Sequence, residues 1–483
     1  QQQQGTQRRR RSKEIGMNEL VWAYEVFWSR GFAIPPKGEA ALVPLCGMLN
    51  HSPKSKVKYT IDGNEEVERK ERKDDGSDDD DDENEPCFCV VSEMEVKEGE
   101  QFYGNYTHRS NEKLMLNYGF VMEGNEMDSY TVKVGVSAGD PLVESKKRMM
   151  EERKIGWEHQ LREKETPTES IPTTLIDAMR ILSMEQEEVY FPAERLAPEI
   201  QKKVDIDSCL IMERLLKRQL EKLPFRDFEA DIKEAKRAQH PMKAVLIYRA
   251  SQARILTHCI KAAAELSSIA FKRATMNWNP PHYIPVLRPP FQSSSSTTSS
   301  STTSSSTTST STSTMTMITD EKNAESVMET FNKIAQETGM FKDVKYVLDP
   351  NDGVKMIATA AISVGQSIVC IPKSMMPGVT TISDIVNEGT ELKHIARLWK
   401  GTEENLLAVL LLMSKDTPET ILRAPMMRLF MRNLHRNRST PLFGNELMDE
   451  KIKGTYLQME SKEMREEMRM EHSQLMKELC QIN

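Results

Sequence analysis

The spacing of apolar residues divides the chain into a strand-rich part, a helical part and a second mixed part. Over 17–33 apolar side chains recur every three or four positions, which predicts a helix. Short apolar runs between Gly and Asp turns then predict strands. These runs lie at 41–45, 56–61, 88–91, 101–102 and 130–136. From about 141 to 270 the helical spacing returns, which predicts an all-helical domain behind the β-rich one.

Further elements follow from the same two periodicities. In the helical part, the apolar spacing predicts helices at 145–154, 171–182, 208–223, 225–239 and 243–271. In the last part, the apolar spacing predicts helices at 322–338, 403–414 and near 446–480. It predicts strands at 344–348, 355–361 and 367–371. The last of these helices is rich in Met, which we interpret as packing because Met fills irregular gaps in cores.

A run of hydroxyl residues separates the two parts of the chain. Residues 293–314 are all Ser or Thr, and such side chains compete with the backbone for hydrogen bonds and bury little apolar surface. We therefore predict a flexible linker between two bodies, roughly 1–290 and 318–483. The acidic run 74–85 lies between two predicted strands, which indicates a solvated insertion loop.

Composition and charge narrow the function classes. The net charge of −8, from 65 basic and 73 acidic residues, argues against a dedicated nucleic-acid binder, and the arginines at 8–11 are a weak basis for one. The longest apolar run, 406–413, is too short to span a membrane. Seven cysteines without repeated spacing favour a reducing compartment, the cytoplasm or the nucleus. The chain begins at Gln1, so we expect it to be a fragment.

Few chemical motifs can be identified from the residues alone. There is no phosphate-binding loop, no Gly-x-Ser-x-Gly and no His-Glu-x-x-His. Cys87 and Cys89 lack a second Cys or His pair at zinc spacing, so we predict no metal site. Asn50 and His51 directly follow an apolar segment, and such a polar pair is either structural or part of a binding site.

The order of short motifs carries a resemblance to a known family. LVPLCGMLNHSP (42–53) is followed by VKEGEQFYGNYTHRSNEKLMLNYGF (96–120), which resembles the C-terminal half of SET-domain methyltransferases. WAYEVFWSRGF (22–32) is similar to the helix that precedes the Asn-His motif in the branch related to Rubisco methyltransferase. TVKVGVSAGDPLVESKK (131–147) and the helices after it resemble the substrate-binding domain of that branch, especially in its actin-histidine group.

The second body resembles the missing N-terminal half of the same domain. DGVKMIATAAISVGQSIVCIPKSMM (352–376) is similar to the opening SET strands, and LHRNRSTPLFGNEL (434–447) to a later helical insertion. The halves thus stand in reversed order. Two hypotheses account for this: a circular permutant that closes into one SET domain, or two gene copies joined in a gene model.

The resemblance implies an α+β fold and a division of the chain. A β-rich SET domain would be formed by 17–140 and 318–483, the latter with a helical insertion. An all-α substrate-binding domain would lie at 141–275, a basic tail at 1–16, and a Pro-rich then Ser/Thr linker at 276–317.

By resemblance, the chain is an S-adenosylmethionine-dependent protein N-methyltransferase. Tyr106 would be the catalytic tyrosine beside the transferred methyl, and Asn50 and His51 the cofactor-binding pair. Arg30 would lie on the same pocket, and Tyr118 would line it.

The resemblance also places cofactor-binding positions in the second body. The backbone groups of Asp352, Gly353 and Val354 would contact the amino-acid end of the cofactor. Lys355 stands where the family has a Gly, and Gly47 stands where the family has an Asp before the Asn-His pair.

Two positions bear on the substrate. Phe32 stands where histidine-methylating relatives have an Asn, and Cys46 where they have a Trp. An apolar wall suits the aliphatic stem of lysine better than an imidazole, so we expect lysine, with histidine as the alternative. The expected partner is a protein, actin or another cytosolic or nuclear one; a catalytically inactive interaction module is the alternative from another class.

Overall fold

The structure, a computed structural model, describes a defined part of the chain. The described residues are 16–34, 39–43, 45–62, 87–185, 198–224, 227–275, 321–349, 353–372, 440–443 and 446–482. Several predicted features lie outside them: the tail at 1–15, the acidic loop 74–85, the linker 276–317, Asp352 and the helix at 403–414.

The described helices occur throughout the chain. They are α1 (Met17–Arg30), α2 (Asn111–Tyr118), α3 (Val143–Glu152), α4 (Pro167–Ser170), α5 (Thr173–Ser183), α6 (Pro198–Lys222), α7 (Phe228–Ala235), α8 (Met242–Thr275), α9 (Glu321–Glu337), α10 (Glu446–Lys451) and α11 (Tyr456–Ile482). Short 3-10 turns lie at Cys46–Met48 and Pro441–Phe443. Among the described helices, none has a stretch that is both long and apolar enough to cross a membrane.

The described strands are short and form small sheets. They are β1 (Gly31–Ile34), β2 (Glu39–Leu42), β3 (Val57–Asp62), β4 (Cys87–Ser92), β5 (Gln101–Phe102), β6 (Tyr130–Lys133), β7 (Glu158–Leu161), β8 (Val344–Asp349), β9 (Gly353–Ala358) and β10 (Ser367–Pro372). β1 pairs with β2 and β6 with β7, and three-stranded sheets have the orders β10-β4-β3 and β5-β9-β8. The predicted α+β class is confirmed.

Both three-stranded sheets combine strands from the two sides of the Ser/Thr run. β10 pairs antiparallel with β4, with Ile371 opposite Phe88. β9 pairs antiparallel with β5, with Ile357 opposite Gln101. The segment after residue 320 and the segment before residue 276 therefore complete the same sheets.

One hydrophobic core is likewise built from both segments. α1 contributes Tyr24, whose hydroxyl donates to Glu471 of α11 at 2.6 Å. Phe331 of α9 and Phe88 of β4 are 1% and 0% exposed in the same core. A second core belongs to the helical part, where α5, α6 and α8 bury side chains against the β6–β7 pair.

Capping residues explain where two helices begin. α2 was not predicted by periodicity; it begins after Ser110, whose hydroxyl accepts from the Lys113 N–H, and ends at Gly119, whose φ of 74° is left-handed. Of the helix predicted at 225–239, the structure describes Phe228–Ala235 as helix. The Asp227 carboxylate caps its start by accepting from the Ala230 N–H at 3.0 Å, and a turn follows Ala235.

The structure corrects two predictions of secondary structure, one of helix and one of strand. β7 lies in a stretch predicted to be all-helical; it is a strand because it pairs with β6, with His159 opposite Val132, and its residues alternate between exposed and buried. The strand predicted at 41–45 is β2 and ends at Leu42. Leu45 has a φ of 67°, which no strand residue adopts, and leads into the Cys46–Met48 turn.

Candidate functional site

The predicted site residues converge from elements that are distant in the sequence. Asn50 and His51 follow the Cys46–Met48 turn after one intervening residue, Leu49. His51 forms a parallel β-bridge with Gly104. Gly104 follows β5, so the bridge brings the segment that carries Tyr106 beside the Asn-His pair. β9, which pairs with β5, adds Val354 to the same place.

Asn50 makes the contact that joins the two segments at this site. Its side-chain amide donates to the carbonyl of Val354 at 3.0 Å, and its own carbonyl accepts from the Gly104 N–H at 2.9 Å. Asn50 and Val354, which the resemblance assigns separately to the cofactor, are therefore in direct contact, although 304 residues separate them in the chain.

His51 is a neutral acceptor in this arrangement. It is 2% exposed, and its Nδ1 accepts from the Tyr106 N–H at 3.1 Å. Burial, together with the nearby Arg109 and His108, lowers the pKa of His51 to about 4. The imidazole stacks on the Tyr106 ring, with centroids 5.1 Å apart and planes at 19°.

Tyr106 is held in a defined orientation by its hydroxyl and its ring. The hydroxyl donates to the Leu49 carbonyl at 2.5 Å, and the ring also stacks on Tyr118 with centroids 4.7 Å apart. Burial raises the pKa of the phenol, with Arg30 acting in the opposite direction. The hydroxyl is therefore a neutral hydrogen-bonding group next to a backbone carbonyl.

Tyr118 and Phe120 complete the cluster of aromatic rings around Tyr106. Tyr118, at the end of α2, is stabilised by the Arg109 guanidinium, which lies 5.9 Å from its ring centroid. The Arg109 Nε also donates to the Tyr106 carbonyl at 2.9 Å. The predicted pocket position of Tyr118 is thus adjacent to Tyr106.

Arg30 lies beneath the Cys46–Met48 turn. Its guanidinium donates to the Gly47 carbonyl, and burial lowers its pKa. A Cβ at Gly47 would lie 3.1 Å from the Arg30 Cβ, which is closer than most side chains tolerate. Gly47, three residues before Asn50, therefore contributes a backbone carbonyl at the position where the resemblance expects a carboxylate.

The predicted substrate residues belong to an apolar wall. Phe32 packs edge-on against Tyr59 and Phe88, with centroids 5.3 Å and 5.5 Å apart. Cys46 is 1% exposed, and burial raises the pKa of its thiol. Phe32 and Cys46 are thus in apolar surroundings.

Tyr59 is a site residue that the sequence analysis missed. Its hydroxyl lies close to Gly104: a Cβ on residue 104 would be 3.2 Å from the Tyr59 hydroxyl oxygen. Burial raises the pKa of Tyr59 to about 12, with Cys46 as the next cause. The signal was the alternation of apolar and polar residues along β3, which places Val57, Tyr59 and Ile61 on one face. The Tyr59 ring contacts Phe32 and Phe88.

Lys355 does not block the backbone of β9. Val354 and Met356 are 2% and 0% exposed, and the residue between them in a strand points to the other face. The Lys355 ammonium is bound there by Asp349 at 2.8 Å. Within the described residues, no group of three or more His, Cys, Asp or Glu side chains is arranged to hold a metal ion.

Comparison with known proteins gives relatives of the predicted kind. No protein-family model matches the chain. A chloroplastic [fructose-bisphosphate aldolase]-lysine N-methyltransferase of Arabidopsis thaliana is 30% identical over 149 residues, 30% of this chain and 28% of that protein. The actin-histidine N-methyltransferase of Danio rerio is 33% identical over 137 residues, 28% of this chain and 20% of that protein.

A ribosomal lysine N-methyltransferase, set10 of Schizosaccharomyces pombe, is 28% identical over 136 residues, 27% of this chain and 21% of that protein. The chain spans less than a third of the length of these curated relatives. The solved SET domain of LSMT bound to lysine and AdoHcy is 18% identical, with a TM-score of 0.38 over 52% of this chain and 55% of that one. The predicted resemblance to lysine and histidine N-methyltransferases is confirmed by the curated relatives.

Proposed function

We propose that this chain is an S-adenosylmethionine-dependent protein N-methyltransferase of the SET type. The observation that carries the proposal is the Asn50–Val354 hydrogen bond. It joins the Asn-His pair of one segment to the Gly353-Val354 backbone of the other, next to Tyr106. These are the positions that the family resemblance assigns to the cofactor and the methyl.

The residues present are suited to a positively charged cofactor. The Leu49 and Val354 carbonyl oxygens each accept a hydrogen bond and have a second lone pair, and such electron-rich atoms attract cations. Arg30, Asn50, His51 and the 353–354 backbone would hold the cofactor. When bound, S-adenosylmethionine supplies an electrophilic methyl group on a sulfonium.

The chain's own residues position the acceptor and favour its neutral form. A lysine ammonium has a pKa near 10.4 and must lose its proton before it reacts. The apolar wall of Phe32, Tyr59 and Cys46 favours the neutral amine by desolvation. Tyr106, fixed by the Leu49 carbonyl, orients the reacting atoms, and most of the rate enhancement would come from this positioning.

The decisive experiment is calorimetric titration of the full chain with S-adenosylmethionine, alongside circular dichroism to confirm folding. We expect a saturable binding heat. A folded protein without heat at high micromolar cofactor would leave the inactive interaction module as the better reading.

The catalytic assignment predicts a clear effect of Tyr106→Phe. We expect methyl transfer to fall by about 100-fold or more, because a preorganised hydroxyl is lost at the reacting centre, while cofactor affinity changes little. Activity is measured with radiolabelled cofactor and affinity by calorimetry. Tyr456→Phe is the matched control, since its hydroxyl bonds Glu158 in an exposed position. Retained turnover would show that Tyr106 is misassigned.

We further propose lysine as the target residue, in a protein of the cytoplasm or nucleus. The support is the aromatic wall at Phe32, which has no amide to bind an imidazole. Acid hydrolysis of proteins labelled by the enzyme should give methyllysine. Phe32→Asn should lower that yield at least several-fold, because an unpaired amide beside an aliphatic stem costs binding energy. Methylhistidine as the only labelled product from the unmodified enzyme would contradict the lysine assignment.

A further inference from the structure

Two cysteines face each other across the sheet that joins the segments. Cys89 of β4 lies opposite Cys370 of β10 in the antiparallel register. Their Sγ atoms are 2.9 Å apart, although 281 residues separate them in the chain. Both are thiols in the structure.

The backbone geometry at this pair suits a cross-strand bond. The Cys370 N–H donates to the Met340 carbonyl at 2.9 Å, away from β4, so Cys89 and Cys370 do not exchange backbone hydrogen bonds. Such a pair has its Cα atoms about 4.5 Å apart, within the range of roughly 4.4–6.8 Å found in disulfides. A bond length of about 2.05 Å then requires the sulfurs to approach by about 0.9 Å.

One thiol of the pair can be reached from solvent. Cys370 is partly exposed, whereas Cys89 is 1% exposed. The Ser367 hydroxyl lies 3.0 Å from the Cys370 sulfur and can hydrogen-bond to it. Cys87, the neighbouring thiol on β4, lies opposite Pro372 of β10 and Asp62 of β3 in the strand registers.

We propose that Cys89 and Cys370 form a peroxide-sensitive dithiol, which closes to a disulfide and covalently joins the two segments of the chain. This site is independent of the proposed methyl transfer. Its state depends only on the two strands and on the oxidant.

The reaction is balanced with hydrogen peroxide as oxidant. The Cys370 thiol first loses its proton, and the thiolate attacks one peroxide oxygen; an S–O bond forms, the O–O bond breaks, and hydroxide leaves and takes up the released proton as water, which gives a sulfenic acid. The Cys89 sulfur then attacks the Cys370 sulfur; the S–S bond forms, the S–O bond breaks, and a second water leaves. Two thiols are oxidised and one peroxide is reduced, and a dithiol reductant reverses the change.

The disulfide is expected to stabilise the joined sheets. It closes a very long loop, so it restricts the unfolded chain strongly. We expect the melting temperature of the full chain to rise by roughly 5–10 °C on oxidation. Dithiothreitol should reverse this rise.

Peptide mapping tests the proposal on the full-length protein. The protein is treated with hydrogen peroxide, alkylated, denatured and digested with trypsin without reductant. We expect peptide 74–97 linked to peptide 356–373, two hydrogens lighter than their sum. Cys370 oxidised to sulfinic acid without this linked species would overturn the proposal.

Matched serine variants identify the sulfurs, because peptide 74–97 contains both Cys87 and Cys89. Cys87→Ser should keep the linked peptide and the rise in melting temperature, and Cys89→Ser should lose both. Cys370→Ser should lose them too, which keeps the test decisive if one variant folds poorly. A link that survives in Cys89→Ser and disappears in Cys87→Ser would contradict the assigned pair.

Discussion

Glu112 shows how strongly burial alters a single residue. Its side chain, in α2, is 2% exposed. The pKa of its carboxyl is raised to about 8; burial is the largest cause and nearby Glu460 adds to it, while Lys113 and the hydrogen bond from Thr131 act in the opposite direction. The carboxyl is therefore largely protonated near neutral pH, unlike an exposed glutamate.

This raised pKa predicts that stability falls with rising pH. Between about 4.5, the ordinary value, and about 8 the folded chain keeps a proton that the unfolded chain has lost. The contribution of Glu112 is therefore most favourable below pH 4.5 and declines as the pH rises through about 8. Glu112→Gln should raise the free energy of unfolding at pH 8.5 by about 1–3 kcal/mol and leave it nearly unchanged at pH 5.

Urea unfolding at the two pH values measures this effect. Glu123→Gln, at an exposed position, is the control and should change stability equally at both pH values. If Glu112→Gln destabilised the protein more at pH 8.5 than at pH 5, the carboxyl would be ionised and stabilising in the folded chain.

At the scale of elements, β8 fixes the turn that precedes the Asn-His pair. Tyr346 of β8 is 1% exposed, and its hydroxyl donates to the Leu45 carbonyl at 2.6 Å. Leu45 has a left-handed φ of 67°, which costs a non-glycine residue energy unless its surroundings hold it. The Asn332 side chain of α9 in turn bonds both backbone groups of Tyr346. An element of the second segment thus shapes the site in the first.

Removing that hydroxyl should weaken the turn. We expect Tyr346→Phe to lower the free energy of unfolding by about 1–3 kcal/mol, because the buried Leu45 carbonyl loses its partner. We also expect weaker binding of S-adenosylmethionine, since the turn leads to Asn50. Urea unfolding and calorimetry measure the two effects. Cofactor affinity equal to that of the unmodified chain would show that the turn keeps its shape without the hydroxyl.

At the scale of the whole molecule, the two hydrophobic cores predict separable responses. Phe331→Ala removes a side chain that is 1% exposed, from the core shared by both segments, and should cost about 3–5 kcal/mol. Hydrogen exchange should then rise in β4, in the other segment. Leu216→Ala, in the helical core, is the matched control and should raise exchange in α5 and α8 but not in β4. An unchanged β4 after Phe331→Ala would contradict a shared core.

The joined sheets also bear on the reversed motif order. Strand pairs β10–β4 and β9–β5 are what a permuted domain closing within one chain requires. The permutation and the predicted domain boundaries stay hypotheses. Direct sequencing of one messenger RNA across codons 250–350 tests them, and two separate transcripts would support joined gene copies.

The sequence by itself determined the kinds of elements and the chemistry to be expected. Periodicity identified α1, the long helix α8 and most strands, because it records which faces each element buries. It also identified α6, although the predicted helix at 208–223 missed the first ten residues of Pro198–Lys222. The motif order predicted Tyr106, Asn50 and His51 as site residues. Helix α2 and strand β7 were not predicted, because α2 is defined by its capping residues and β7 by its pairing with β6 rather than by periodicity.

Only the tertiary structure decided which distant residues meet. The contacts of Asn50 with Val354, Tyr346 with Leu45 and Cys89 with Cys370 each span about 280 residues or more, far beyond the reach of any local pattern. Such pairs form because each segment alone leaves the two sheets and the core incomplete, with apolar surface in contact with water. The other segment covers that surface. Local periodicity shows which face of a strand is buried, and the closed fold shows what that face is buried against.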